Sequence, residues 1–458
     1  MKILRTGVVA VTLALAGVTA GWAENLPRGD AAALGLDPAR VARMDATFGA
    51  MVDKGMTPGA VIMLIRDGQI AHLSTMGKIT PDGAPMTEDA IFRIYSMTKP
   101  ITTVAAMMLV EEGRLMLEAP VATYLPAFKD MTVVTGETDA EGKPVTRPAK
   151  GVMTIRDLMR HTSGLTYGFF GAGPARDAYN AADVWSSENT GIEQANLLAS
   201  LPLEHDPGTT WEYSRSTDVL GAVIEVVSGQ SLEEFMTARI FEPLGMTDTA
   251  FYVDDEADYP RIAEAFPDQA QLGAGDIFDP RVRKPNQSGG GGLMSTVHDY
   301  AKFAQMMLNG GELNGTRLLS PKTVQLMTSN QLEGIVPGKY YLPGPGYGFG
   351  LGYGVRLDDG NAPSLGSKGD YNWGGAAHRL LRRPGRRHDC PADDPVARQP
   401  RPAAHHVQDT GIFHDRRQPP GRLRQASVAH SLAKLTLNIW RQRLPGRFSV
   451  VFFMGMRV

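Results

Sequence analysis

The sequence predicts an α/β chain of the α+β kind, an antiparallel sheet flanked by helices and interrupted by a mostly helical insertion. Three observations carry this expectation. Strand-like apolar runs gather around Asp67-Gly68, similar runs return ahead of Ala377, and segments with helical spacing fill the interval. With 458 residues, 43% of them hydrophobic, the chain can bury a large core.

In chain order, Asp37 to Lys54 has the apolar spacing of an amphipathic helix. Gly59 to Arg66 and Gln69 to Met76 form a hairpin across Asp67-Gly68, a dipeptide suited to two positive φ angles. Ile91 to Tyr95 reads as extended and Ile101 to Glu112 as helical, so Ser96 opens a helix. The middle holds helices at Ile155 to Arg160, Ile192 to Ser200, Asp218 to Ser228 and Leu232 to Ile240. A helix at Val297 to Leu308, a strand near Phe349 to Leu357 and a strand bearing Trp373 follow. Residues 24–115 and 285–377 thus make a discontinuous α/β catalytic domain and residues 116–284 a mostly helical one, with a site in the cleft between them. The Thr132 to Gly151 stretch and the Tyr167 to Arg176 loop rim that cleft and bear on substrate choice.

Lys2 and Arg5 followed by the apolar run Val8 to Val18 and by Gly21-Trp22-Ala23 read as a signal peptide, residues 1–23, which directs the product to the periplasm or outside. The apolar run is too short for a membrane anchor, and after cleavage no integral span is expected. Cys390 is the only cysteine, so no disulfide forms within the chain.

The residues that carry chemistry begin at Ser96-Met97-Thr98-Lys99. Positions i and i+3 share one helix face, so Lys99 can reach the Ser96 hydroxyl, and the free first-turn N–H groups favour the negative charge of an acyl-transfer intermediate. Lys99 would act as a base if burial and cationic surroundings lower its pKa. The spacing alone is weak, since Ser431 and Lys434 repeat it. Two further stretches add to it: Trp211-Glu212-Tyr213-Ser214-Arg215-Ser216 sets a phenol at the start of a helix, and Trp373-Gly374-Gly375-Ala376-Ala377 reads as a glycine-bearing strand that allows close backbone approach.

The order Ser-x-x-Lys, Tyr-Ser, Trp-Gly-Gly resembles the serine β-lactamase-like superfamily, the class C and penicillin-binding-protein-like hydrolases, and within it the carboxylesterases with a Trp-Gly-Gly third motif. His161-Thr162-Ser163-Gly164-Leu165 and Ser288 to Gly292 fit the same resemblance, which covers residues 30 to 377. It implies a β-lactamase/transpeptidase-like fold, Ser96 as nucleophile, Lys99 and Tyr213 sharing base and acid work, and an oxyanion hole from the Ser96 and Ala376 N–H groups. It also implies Trp373, Gly374, Gly375 and Arg215 at the substrate, and no metal or other cofactor. Penicillin-recognising members have a lysine where this chain has Trp373, and an indole offers a substrate carboxylate no cation. The expected substrate is therefore a small ester or amide, an ester first, with a β-lactamase or D,D-peptidase as the alternative. No Gly-x-Ser-x-Gly elbow is present to support an α/β-hydrolase.

After Ala377 the composition breaks. Residues 378–458 hold 15 Arg and 1 Lys against 5 Asp and no Glu, a net charge of +11, while the whole chain carries −3 and the first 377 residues therefore −14. One reading is a basic arm for phosphates or membrane surfaces. The preferred reading is a shifted frame: with third bases chosen freely, His378 to Gln399 back-translates one base later into two apolar strands across an Asp-Pro turn. Nucleic acid is accordingly not an expected partner. The sheet would then lack its last two strands and closing helix, the strand of Trp373 would be an exposed edge, and the protein as written would be unstable or inactive.

Overall fold

The computed structural model describes residues 25–265 and 279–375 together with the backbone of two further strands, His378–Arg383 and Phe448–Met454. The expected signal peptide, the Ala376 N–H and the rest of the basic tail lie outside the described residues.

The hairpin expected around Asp67-Gly68 is the core of the sheet. Strands β1 (Gly59–Arg66) and β2 (Gln69–Gly77) turn through Asp67 at φ 50° and Gly68 at φ 78°, the two positive angles that match the twist of paired strands. Every residue of β1 is buried, and its alternation divides two cores. Ala60, Ile62 and Leu64 pack under helix α1 (Pro38–Asp53) against Val41, Met44, Phe48 and Met51. Val61, Met63 and Ile65 face the main core on the other side. Asp37 starts α1 by accepting the Ala39 and Arg40 N–H groups, which no residue within the helix could satisfy.

Five more strands complete an all-antiparallel sheet: β3 (Tyr347–Phe349), β4 (Gly354–Arg356), β5 (Tyr371–Gly375), β6 (His378–Arg383) and β7 (Phe448–Met454), in the order β3-β4-β5-β6-β7-β1-β2. Two expectations are corrected here. The single strand near Phe349 to Leu357 is instead the β3–β4 hairpin, because the chain reverses through Gly352 at φ 83°, where a Cβ would press on the Thr103 hydroxyl at 2.7 Å. The strand of Trp373 is not an exposed edge: β5 pairs with β4 on one side and with β6 on the other, and β7 closes the ladder onto β1. Composition hid this, since a ladder needs only extended backbone, and Phe448 to Met454 is an apolar run within an Arg-rich tail.

Helix α2 (Thr98–Glu111) is buried from Thr98 through Leu109. Around it pack α3 (Ile155–Met159), α4 (Pro174–Ala181), α5 (Gly191–Ala199), α6 (Ser216–Ser228) and α7 (Leu232–Met236), whose side chains share the main core with those of α2. The helix expected to reach Ile240 leaves α geometry after Met236 and continues as a wider π turn, Thr237–Phe241. The stretch Thr132 to Gly151, expected at the cleft rim, forms a hairpin, Thr132–Thr138 with Pro144–Pro148. Among the described residues no helix is long and apolar enough to cross a membrane.

A chain ending at residue 447 leaves β1 and β6 with open edges. Its thermal unfolding is expected to lose cooperativity; an unchanged, cooperative melt would show that the β7 ladder is not made.

Candidate active site

Ser96 lies in the tight turn Tyr95–Met97 that leads into α2, and it is half-buried, within reach of a substrate. The turn is held on several sides. Ile94 donates its N–H to the Leu293 carbonyl at 3.0 Å, Thr98 Oγ1 accepts from Leu293 N at 3.2 Å, and Tyr300 donates to the Met97 carbonyl at 2.9 Å. Tyr95, next to Ser96, sits at φ 45°, a left-handed conformation that bulky residues avoid and that the surrounding bonds must enforce.

Lys99, one turn further on, is 1% exposed. Its ammonium has three N–H bonds and meets three acceptors: the Gly290 carbonyl at 2.6 Å, Ser96 Oγ at 3.1 Å and the Tyr167 hydroxyl at 3.1 Å. It also lies over the Tyr213 ring, 4.8 Å from its centre. The condition under which Lys99 was expected to act as a base, a pKa lowered by burial and cationic surroundings, is not met. Burial does oppose the charge, but Tyr167, Tyr213 and Asp218 outweigh it and hold the pKa above the usual lysine value. The upward direction favours the ammonium form of Lys99. Burial pushes the Tyr167 phenol up, against the lowering effect of Lys99, so Tyr167 stays a neutral hydroxyl.

Tyr213 reaches Ser96 from the start of α6, its hydroxyl 2.6 Å from Ser96 Oγ. The structure thus brings Ser96, Lys99 and Tyr213 together, although the tyrosine is 117 residues from the serine in sequence. Trp373 of β5, 7% exposed, packs against Tyr213 at 5.4 Å and Phe349 at 5.2 Å between ring centres. Gly375 serves the Ser96 turn itself: a Cβ there would lie 2.4 Å from the Ile94 carbonyl. Gly374 stands beside it on β5, and Ala376 lies outside the described residues.

Arg215, expected at the substrate, is buried. Its Nε lies 3.4 Å from an Asp218 carboxylate oxygen, and its guanidinium sits 4.7 Å from the centre of the Trp185 ring. Its geometry is that of a support: Asp218 accepts from Ser288 Oγ and from Gly290 N at 3.3 Å, and so holds the carbonyl that binds Lys99. Only glycine fits at 290, where a Cβ would lie 2.4 Å from Asp218.

Three contributors carried no assigned role in the sequence. Tyr167 belongs to a loop whose rim position was expected, but its bond to Lys99 was not; with Phe169, Phe170 and Trp185 it builds an aromatic wall beside Tyr213. Gly290 was legible only as part of a glycine run. His161, buried against Tyr213, Trp211 and Phe349, is held neutral by burial and by the nearby Lys99, which together drive its pKa well below the usual value.

Residues 44–387 match the Beta-lactamase family. Protein Rv1367c of Mycobacterium tuberculosis (strain ATCC 25618 / H37Rv) is 37% identical over 349 residues, spanning 72% of this chain and 84% of its own length. Esterase EstB of Burkholderia gladioli is 34% identical over 293 residues, 60% of this chain and 71% of its own. Among solved structures, EstCE1, a hydrolase with promiscuous acyltransferase activity, superposes with a TM-score of 0.60 at 27% identity, over 75% of this chain and 90% of that one. The chain belongs to the beta-lactamase family.

Gly375→Ala is expected to displace the Ile94 carbonyl and with it the Ser96 turn. The expected cost is about 1–3 kcal/mol of stability and a fall in the rate of Ser96 acylation, read by thermal unfolding and by labelling with a fluorophosphonate. Unchanged values for both would show that β5 does not press on that turn.

Proposed function

We propose that this chain is a serine hydrolase acting on carboxylic esters through an acyl-enzyme on Ser96. The observation that carries this is the convergence of the Tyr213 hydroxyl, 2.6 Å away, and the Lys99 ammonium, 3.1 Å away, on one half-buried serine oxygen. Esterase and acyltransferase relatives support the class of reaction.

The proton steps follow from Lys99 being an ammonium. In the resting geometry the Tyr213 hydroxyl donates to Ser96; for reaction Tyr213 first releases that proton to solvent beside the Lys99 ammonium, and Ser96 Oγ then attacks the ester carbonyl carbon while its own proton moves along the short bond to the Tyr213 oxygen. The ammonium beside both oxygens stabilises whichever of them bears the negative charge. The carbonyl oxygen gathers charge near the Ser96 N–H, at the start of α2, where helix geometry favours an anion. Collapse breaks the bond to the alcohol, which leaves with the proton from Tyr213. Water then repeats the sequence on the acyl-enzyme, and Ser96 is regenerated.

The wall of Tyr167, Phe169, Phe170 and Trp185, with Trp373 at the position where a lysine would meet a carboxylate, supports an uncharged, apolar acyl group. An alcohol in place of water turns the same cycle into acyl transfer, a second reading favoured by how little of the site is exposed to solvent. The proposed place of action is the periplasm or the exterior, on the strength of the basic-then-apolar leader.

The test is turnover of p-nitrophenyl butyrate against nitrocefin by the full chain. Ester hydrolysis is expected to dominate, to vanish in Ser96→Ala, and to fall about a hundred- to ten-thousand-fold in Tyr213→Phe. Faster nitrocefin turnover would replace the ester reading with a β-lactamase. A chain neither active nor labelled at Ser96 would favour a disabled product of a shifted frame, which resequencing across the codons for Trp373 to Gln399 then tests.

A further inference from the structure

The segment His161 to Leu165 is tied to the segment Tyr213 to Ser216 by a buried chain of polar atoms. His161 Nδ1 lies 3.2 Å from Ser214 Oγ, Ser214 Oγ 2.6 Å from Ser216 Oγ, and Ser216 Oγ 2.7 Å from Ser163 Oγ, which accepts the Leu165 N–H at 3.2 Å. All four side chains are buried. The backbone adds a further tie, with Glu212 N donating to the His161 carbonyl at 2.9 Å.

These links bracket Tyr213. Glu212 and Ser214, its two neighbours in sequence, are both held by His161, through its carbonyl and its Nδ1 respectively. The imidazole itself packs edge-on against the phenol ring, 5.0 Å between centres. The histidine loop is in turn fixed from behind. Thr162 donates its hydroxyl to Asp157 at 2.6 Å, its carbonyl accepts from Gly208 at 2.8 Å, and Gly164, at φ 85°, passes so close to His205 that a Cβ would lie 2.1 Å from that carbonyl. His161 has φ 58°, a left-handed angle that histidine and asparagine tolerate better than most residues.

We propose that His161 is a positioning residue for Tyr213, holding the phenol at hydrogen-bond distance from Ser96 through Ser214 and Ser216. Either oxygen of each serine pair can donate, and one direction gives every hydroxyl an acceptor: Ser163, which accepts from Leu165 N–H, gives to Ser216, Ser216 to Ser214, and Ser214 to Nδ1 of an imidazole protonated on Nε2. His161 touches no reacting atom; it acts by restricting the phenol, and a loosened phenol lengthens the proton path without altering how substrate is held.

This inference rests on the proposed acyl-enzyme chemistry, and the experiment separates the two. Wild type, His161→Asn, His161→Phe, Ser214→Ala and Ser216→Ala are compared by thermal unfolding, fluorophosphonate labelling rate and p-nitrophenyl butyrate kinetics. Asparagine keeps the left-handed backbone and an acceptor near the Nδ1 position, and is expected to retain kcat within about threefold. Phenylalanine keeps a ring but no acceptor. It and Ser214→Ala are expected to lower kcat and the labelling rate about ten- to a hundredfold with KM nearly unchanged, and Ser216→Ala to follow in the same direction. Because the serine variants remove one oxygen and no ring, they remain informative should His161→Phe not fold. Serine variants that are folded and keep the wild-type kcat overturn the positioning role, as does a loss confined to melting temperature. A wild type that hydrolyses the ester while His161→Asn is as impaired as His161→Phe also overturns it. A wild type that neither labels nor hydrolyses overturns the acyl-enzyme reading and this one with it.

Discussion

A lysine ammonium buried in a protein core is costly unless every N–H finds an acceptor, and Lys99 meets that requirement with three oxygens from three separate parts of the chain. Much of the local architecture follows from this. The Tyr167 loop must approach α2 from one side, the Gly290 carbonyl from another, and Ser96 must sit one helical turn below. Asp218 secures the Gly290 segment, and Arg215 supports Asp218 from behind. The Lys99 charge is thus the organising contact of the site, and removing any one acceptor would leave part of it unsatisfied.

The Ser96 turn is built under comparable constraint. Tyr95 is held in a left-handed conformation between the segment ending at Leu293 and strand β5, where only a glycine at 375 can pass the Ile94 carbonyl. Strain of this kind persists only when the surroundings over-determine it, and here two independent segments do so. The sheet supplies the rigidity: β1 is covered on both faces, and β5 is paired on both sides.

Much of this could be read in the amino-acid order. The hairpin at Asp67-Gly68, helices α1, α2 and α6, and the three separated motifs are written in local periodicity and in residue types with few substitutes. The charge state of Lys99 was not legible, because burial alone argues for neutrality and the opposing oxygens come from Tyr167, Tyr213 and Asp218, far apart in sequence. The burial of Arg215 was hidden for a related reason: its motif position speaks for the site, whereas Asp218 and Trp185 decide where the side chain goes. The β3–β4 reversal was missed because Gly350 and Gly352 fall inside a run that otherwise alternates. Strands β6 and β7 were missed because the tail was judged on its arginines, while pairing is decided by the backbone.

The cations near the pocket bear on what it can accept. Lys99 spends its three N–H bonds on protein oxygens, Arg215 faces Asp218, and Arg176 is divided between Glu204 and Glu212. An anionic group on a substrate would have to displace one of these buried pairs, and breaking a buried pair costs about 3–5 kcal/mol, more than one new ionic contact returns at a partly hydrated site. The aromatic side chains impose no such cost on an apolar acyl chain. They release ordered contacts with water when it enters, and their faces lie within van der Waals reach of one another around Tyr213. In the proposed ester hydrolysis, discrimination against charged substrates would therefore arise from what the site has already paired, as much as from the indole at position 373.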